Sequence, residues 1–415
     1  MIVLEYKLKG KNEQFRRTDD AIRTAQFIRN KCIRLWKDNR GINKTGRNSD
    51  LKSELTQREV AFRTLMFRHN TELRATYPWC HNLNSHACQA SVERAVRSVD
   101  KFYSDLKDSS VKKKSYPKFK KHSRSVEYKQ SGWKVSEDRK RLTITDKTGI
   151  GSFKLVGSRD LHFYELEQIK RMRLIRRADG HYAQFSIKVD RKETREKTGT
   201  AIGLDMGLKY LLADSNSNFV LPPKFLRKAE KRLKRLQRQV SKKYDKQRKK
   251  NKQPQSNNYH KSRIKLAIAN LKVSRQRKDF AVKLARCVVI SNDIVAFEDL
   301  KINNLVKNRH LSKSISDASW GILRTWIEYF GKVFDVETIA VPPHYSSQEC
   351  SSCGARVKKS LSTRTHVCQC GCELDRDTNA SIVILNRGLS TLGRRESFKA
   401  QGDETAISVS ASLLR

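Results

Sequence analysis

A short apolar strand that ends on a carboxylate constrains this chain more than any other stretch. Residues 201–220 read AIGLDMGLKYLLADSNSNFV. Ala201, Ile202 and Leu204 suit a buried strand, Gly203 and Gly207 permit close approach of backbone or ligand, and Leu211, Leu212 and Ala213 can return as a second strand. The expectation is a hairpin with Asp205 near one end. Glu298 closes a second such strand, DIVAFED, and Asp377 lies in LDRDTNASIVIL, where an apolar helix begins. Singly, such acids are ordinary solvated or capping residues. Brought together unpaired they would repel until one took up a proton, whereas divalent cations would hold all of them ionised around a phosphoryl group.

Charge narrows the partners. Lys and Arg outnumber Asp and Glu by 88 to 43, a formal net charge of +45, which self-repels unless a polyanion neutralises it. Nucleic acid is the expected polyanion. An anionic membrane is the weaker reading, because the sequence has neither an apolar run of about 18 residues nor a basic amphipathic anchor. At 415 residues the chain has room for two to four domains of about 100 to 200 residues. Its start, MIVLEYKLKGK, carries charges where a signal peptide would be apolar. A reduced, cytoplasmic and nucleoid-associated setting is therefore expected. Of the 9 cysteines, Cys32, Cys80, Cys88 and Cys287 sit in apolar contexts as core fillers, and the rest crowd between Cys350 and Cys372.

In chain order, residues 1–9 alternate as a strand, and Ile22, Ala25, Ile28, Cys32 and Leu35 recur at helical spacing. A weaker helix spans 51–73. A clearer one follows Ser85 as N-cap, with Cys88, Val92, Val99, Phe102 and Leu106 on one face. Beyond a basic linker, VKKKSYPKFKKH, come short strands at 141–145 and 151–156 and a hairpin turning on Asp179-Gly180. Together these read as a small β-barrel-like unit interrupted by helices. Leu226, Ala229, Leu233, Leu236 and Val240, then Ile264, Ile268, Leu271, Ala281 and Leu284, predict a helical hairpin with a polar break at 251–258. It reads either as a solvated coiled coil or as a basic rod beside a phosphate backbone. SISDASWGILRTWIEYFGKVF predicts an amphipathic helix with Trp320, Leu323, Trp326 and Phe330 inward, and ETIAVPP a buried strand. From Gly388 onward a loose tail is expected.

GLDMG, then FEDL followed by KINNLVKNR, then a cysteine cluster running into DRDTNAS, resembles the TnpB family of insertion-sequence proteins, themselves similar to type V CRISPR effectors. The resemblance covers most of the chain to about residue 387 and is most specific from Ala201 onward. It implies an α/β RNase H-like (RuvC) nuclease core with an inserted helical hairpin and zinc ribbon, preceded by a β-barrel wedge domain with an inserted helical recognition lobe. The boundaries expected are 1–10 and 111–195 for the wedge and 11–110 for the lobe. The nuclease core would take 200–345 and 375–390, with the hairpin at 224–288. The ribbon would span 346–374 and the flexible tail 391–415. The implied catalytic acids are Asp205, Glu298 and Asp377, the last preferred to Asp375 because the family places its acid second in DRD. Asp375 then becomes a cap or supporting residue, and Asp299 points to the opposite strand face from Glu298. Guide RNA from the transposon end and double-stranded target DNA are the implied partners, with a monomer or dimer on the RNA.

Two kinds of metal site are expected. Hard carboxylates without thiolate or imidazole favour Mg2+ or Mn2+. Cys350-Ser-Ser-Cys353-Gly with Cys368-Gln-Cys370-Gly-Cys372 looks like a zinc ribbon whose second knuckle is irregular. Cys350, Cys353 and Cys370 are the firm ligands, and Cys368 and Cys372 compete for the fourth place. Zn2+ there would be structural, since four thiolates leave no position for water. The expected activity is RNA-guided cleavage of DNA beside a short flanking motif. The alternatives are a nuclease-inactive RNA-guided repressor, against which the intact acids speak, and a strand-transfer transposase, which would need transposon-end recognition that no separate module supplies.

Overall fold

The computed structural model describes residues 1–39, 51–111, 113–360 and 363–393, and among residues 51–61 the backbone alone. Two compact units divide the chain, Met1–Asp190 and Arg191–Arg415. No helix among the described residues is long and apolar enough to cross a membrane.

In the first unit β1 (Ile2–Lys9) leads into α1 (Asn12–Asn39), α2 (Leu51–Thr76) and α3 (Ser85–Lys107). Six strands follow: β2 (Ser125–Tyr128), β3 (Trp133–Val135), β4 (Arg141–Ile144), β5 (Gly151–Val156), β6 (Ile169–Arg177) and β7 (Gly180–Ile187). They pair antiparallel in the order β2-β6-β7-β1-β5-β4-β3, so the first strand of the chain sits mid-sheet. This hydrogen-bonded order is open, where the sequence suggested a barrel. Leu4, Tyr6 and Leu8 turn one face of β1 into the core, where Ile22, Ala25, Ile28 and Cys32 of α1 and Cys88, Val92 and Val99 of α3 join them. Buried within the unit, Glu127 receives Arg94, Arg171 and Arg173. Burial opposes its ionisation, but the guanidinium groups win and hold its carboxyl down to about 2.

Three local expectations shift. The N-cap of α3 is Asn84, whose Oδ1 accepts from the His86 N–H at 2.9 Å, rather than Ser85, and Leu106 is exposed on the last turn. The β6–β7 turn uses Ala178 and Asp179, since Gly180 already pairs with Arg177. β2 and β3 add two strands that the sequence pattern does not announce, being too short for an alternation to register.

The second unit opens with β8 (Ala201–Asp205), β9 (Leu212–Asp214) and β10 (Phe219–Val220). Helices α4 (Phe225–Lys242), α5 (Lys246–Lys250) and α6 (Asn257–Ile290) precede β11 (Ile294–Glu298). Then come α7 (Ile302–Leu305), α8 (Ser312–Ala318), α9 (Trp320–Phe334), β12 (Glu337–Val341), β13 (Thr365–Val367), β14 (Glu373–Asp375) and α10 (Arg376–Thr391). The main sheet runs β10-β9-β8-β11-β12, antiparallel through the first three strands and parallel from β8 to β12.

Both faces of this sheet are covered, and strand alternation decides what each residue meets. Ile202 and Leu204 of β8 and Val295 and Phe297 of β11 pack with Leu284 and Val288 of α6 and Leu323, Ile327 and Phe330 of α9. Ala201, Ile294 and Ala296 face the other way, against Ile384, Leu385 and Leu389 of α10. The predicted amphipathic helix breaks at Ser319, which adopts φ 58°, and Ile327 takes the buried place expected of Trp326. β12 is an edge strand on which Val341 alone is buried. In the helical hairpin Ser262 and Val273 of α6 are buried, whereas Ile264 and Ile268 are exposed. The chain from Gly388 to Thr391, expected as tail, completes α10 with Leu389 in the core. The remainder of the expected tail, from 394, lies outside the described residues.

Candidate active site and metal centre

Asp205 and Glu298 leave neighbouring parallel strands at the same end. Leu204 pairs with Phe297, so each acid is the next residue beyond that pair, on strands about 4.8 Å apart. Alternation puts both on the α10 face, in step with Ala201 and Gly203 on β8 and with Ile294 and Ala296 on β11. α10 runs back along β8 because Gly203 lets it: a Cβ there would meet the Ser381 carbonyl oxygen at 2.0 Å. Asp377 stands one turn before Ser381 and so overhangs the strand end where Asp205 lies. Ser381 fixes this seat by donating from Oγ to the Ala213 carbonyl at 2.9 Å.

The electrostatics follow from this convergence. Burial, then the charges of Glu298 and Asp377, push the Asp205 carboxyl up to about 8 against a partial offset from Arg376. Burial also raises Glu298, which is 6 % exposed; Ser346 Oγ donates to its Oε1, and Arg387 offsets part of the rise. Asp377 is buried and accepts two hydrogen bonds from Arg376, at 3.0 and 2.8 Å. Asp375 is the N-cap of α10, its Oδ1 accepting from the Asp377 and Thr378 N–H groups at 2.8 and 3.3 Å. Asp299 turns away and pairs with Arg324 of α9. Among the described residues, three metal-ligating atoms approach within 4.8 Å of one another only in the cysteine groups, so the acids converge without closing on a point. Sequence reasoning misses Ser346 and Arg376. Arg376 has a signal in standing between the two aspartates of DRD, and Ser346 has none.

The cysteine cluster is built from two tight turns. In the first, the Gly354 N–H donates to the Cys350 carbonyl at 2.9 Å; in the second, the Gly371 N–H donates to the Cys368 carbonyl at 3.0 Å. Both glycines have positive φ, 77° and 87°. Cys350 and Cys370 sulfurs lie 3.7 Å apart and those of Cys353 and Cys368 3.6 Å apart, and all four fall within 4.8 Å of one another. Zn–S bonds of about 2.3 Å in a tetrahedron require sulfurs about 3.8 Å apart, so these four fit zinc. Burial works against ionising Cys350, but the backbone N–H groups of Cys353 and Ser352, with His366 and Cys370, bring its thiol down to about 5. Cys372 falls in a different group, with Cys350 and His366. Asn379 ties the finger to α10: its side chain donates to the Glu349 carbonyl at 2.7 Å and accepts from the Ser351 N–H at 3.0 Å.

Parts of the chain match known families and proteins. Residues 184–309 match the OrfB_IS605 family, described as "Probable transposase", and residues 320–384 match the Cas12f1-like TNB domain. A Streptomyces pristinaespiralis protein named "Putative RNA-guided DNA endonuclease" is 34 % identical over 210 residues, covering 50 % of this chain and 50 % of that protein. The chain therefore spans about half the length of that curated relative. InsQ of Escherichia coli (strain K12), which carries the same description, is 24 % identical over 332 residues, covering 76 % of this chain and 77 % of InsQ. Among solved structures, Cas12f1 in its complex with sgRNA and target DNA superposes with a TM-score of 0.56 at 15 % identity, covering 91 % of this chain and 83 % of that one. The shared fold is thus that of Cas12f1, and residues 184–309 and 320–384 are similar to the OrfB_IS605 and Cas12f1-like TNB families.

Proposed function

We propose that this chain is an RNA-guided DNA endonuclease of the TnpB type, with Asp205, Glu298 and Asp377 as its catalytic acids. The observation that carries the reading is the convergence on Asp205 of Glu298 from the neighbouring strand and Asp377 from α10, which with burial raises the Asp205 carboxyl to about 8. Such a site is poorly stable without counter-charge, and its all-oxygen donors suit Mg2+ or Mn2+. Bound there, those ions would supply an activated water and neutralise charge at the leaving oxygen. The protein's own part is to set Asp205 and Glu298 on adjacent strands, to hold Glu298 with Ser346, and to keep Asp377 turned by Arg376 until a phosphate competes for that arginine.

The names of the relatives, with a net charge of +45, support a guide RNA and double-stranded DNA as partners. In this reading the first unit is the wedge with its inserted helical lobe, and the second is the RNase H-like core with its finger. Zn2+ on Cys350, Cys353, Cys368 and Cys370 would staple the finger. The deciding experiment sets matched and mismatched guides on one plasmid at fixed salt, with Mg2+. Cutting only with the matched guide, and only beside a short flanking motif, is expected. Equal cutting with either guide, or with none, would leave an unguided nuclease. End-joining in place of cutting would favour the strand-transfer reading that the OrfB_IS605 description suggests.

A further inference from the structure

The cysteine cluster has a neighbour that a four-thiolate ribbon does not use. His366 is the middle residue of β13, where alternation turns it inward between two exposed residues, and it is 0 % exposed. Its Nδ1 contacts Lys359 Nζ. Its Nε2 is buried and has no hydrogen-bond partner among the described residues. A ring nitrogen of this histidine nevertheless lies within 4.8 Å of the Cys350 and Cys372 sulfurs.

The lysine decides the proton's place. An ammonium group can only donate, so the nitrogen it meets is an acceptor, and in a neutral imidazole the other nitrogen then carries the hydrogen. A nitrogen bearing hydrogen cannot ligate a metal. It can donate to sulfur, and a buried N–H left without an acceptor would be costly. Four thiolates around Zn2+ leave two net negative charges, which a part-buried site tolerates better with donors and a cation close by.

We propose that Lys359 and His366 form a relay that positions and charge-balances the finger's metal: Lys359 donates to the imidazole, and the opposite N–H of the imidazole donates to the Cys350 sulfur. The inference rests on the reading that Cys350, Cys353, Cys368 and Cys370 hold zinc. It makes His366 a positioning residue rather than a ligand, and it leaves Cys372 outside the metal's shell.

The test uses the full-length chain, with zinc affinity read by chelator competition and ligand chemistry read after cobalt(II) substitution. His366→Phe should weaken zinc binding by about 10- to 100-fold. It should also move the sulfur-to-cobalt charge-transfer band to lower energy, because a sulfur that accepts no hydrogen bond gives up electron density more readily. His366→Gln keeps an N–H and should recover part of both effects, and Cys372→Ser should leave both unchanged. Lys359→Met should weaken binding in the same direction, and it carries the test with the same readouts should His366→Phe fail to fold. Unchanged affinity and band in these variants would overturn the relay, as would a wild-type cobalt spectrum of three thiolates and one imidazole. A wild-type chain that binds no zinc would overturn the zinc reading itself, and the relay with it.

Discussion

At the scale of single residues, Asp205 links the candidate site to pH. Its folded carboxyl titrates near 8, far above the unfolded value of about 4, so the folded chain holds a proton that the unfolded chain releases between them. Stability from this group is therefore full below about pH 4 and is lost as pH rises through about 8. Without divalent cations the melting temperature should fall between pH 5 and 8.5. Mg2+ should restore it at pH 8.5 and do little at pH 5, where it must displace a proton. Asp205→Asn should flatten both responses, and an equal Mg2+ shift at the two pH values would count against convergent acids. The two aspartates of DRD should also separate. Asp377→Asn should reduce guided cleavage to background with the fold intact, whereas Asp375→Ala should cost about 1 kcal/mol of stability as a lost N-cap and leave cutting measurable. Cleavage assays paired with thermal melts of each variant decide this. The positions of Asp205 and Glu298 at the ends of apolar strands were legible in the sequence. The choice of Asp377 over Asp375 came from the resemblance to the family's DRD pattern, and the capping hydrogen bonds that occupy Asp375 are in keeping with it.

At the scale of elements, one glycine positions the third acid. Gly203→Ala would drive a Cβ into the Ser381 carbonyl and the Leu385 side chain, both parts of a packed helix. α10 must then lift from β8. Guided cutting should disappear and stability should fall by about 1–3 kcal/mol, the usual cost of overpacking. An alanine variant that melts and cuts like wild type would show that α10 does not depend on this close approach. The helical hairpin teaches the opposite lesson about reading periodicity. Its existence and limits were legible, but its seam was not, because Ile264 and Ile268 advertise an apolar face that the fold leaves exposed. Apolar spacing of four residues fits either side of a helix so rich in lysine and arginine, and the partner helix makes the choice. Leu236→Ala, on the buried seam, should cost about 2 kcal/mol or more, and Ile264→Ser should stay within about 0.5 kcal/mol in urea unfolding.

At the scale of the whole molecule, charge and chemistry have to be reconciled. Both sheets were anticipated in outline, since hydrophobic alternation sets them locally. The antiparallel order that places β1 between β7 and β5 was not, because it depends on pairings more than 140 residues apart in sequence. Charge needs no such long-range information. α4 carries Lys231, Arg232, Lys234, Arg235 and Arg238, all exposed, and Lys234 alone of them has an acid partner, Glu230, among the ion pairs described. Such a helix packs on α6 through Leu236 and Val240 and turns its basic face to solvent, where a phosphate backbone would be neutralised rather than read. On the proposed reading, the chain's net charge of +45 exceeds what contact with a single cleavage site requires. Its affinity for RNA should therefore be dominated by counterion release. Neutralising about 6 to 10 phosphates predicts a fall of about 10³ to 10⁵ in affinity between roughly 50 and 200 mM salt. Replacing Lys231, Arg232, Arg235 and Arg238 with glutamine should lower the slope of log affinity against log salt by about one unit for each phosphate no longer neutralised, while Asp205→Asn leaves that slope unchanged. A slope indifferent to the four substitutions would remove α4 from the nucleic-acid path and leave it a solvated coiled-coil arm.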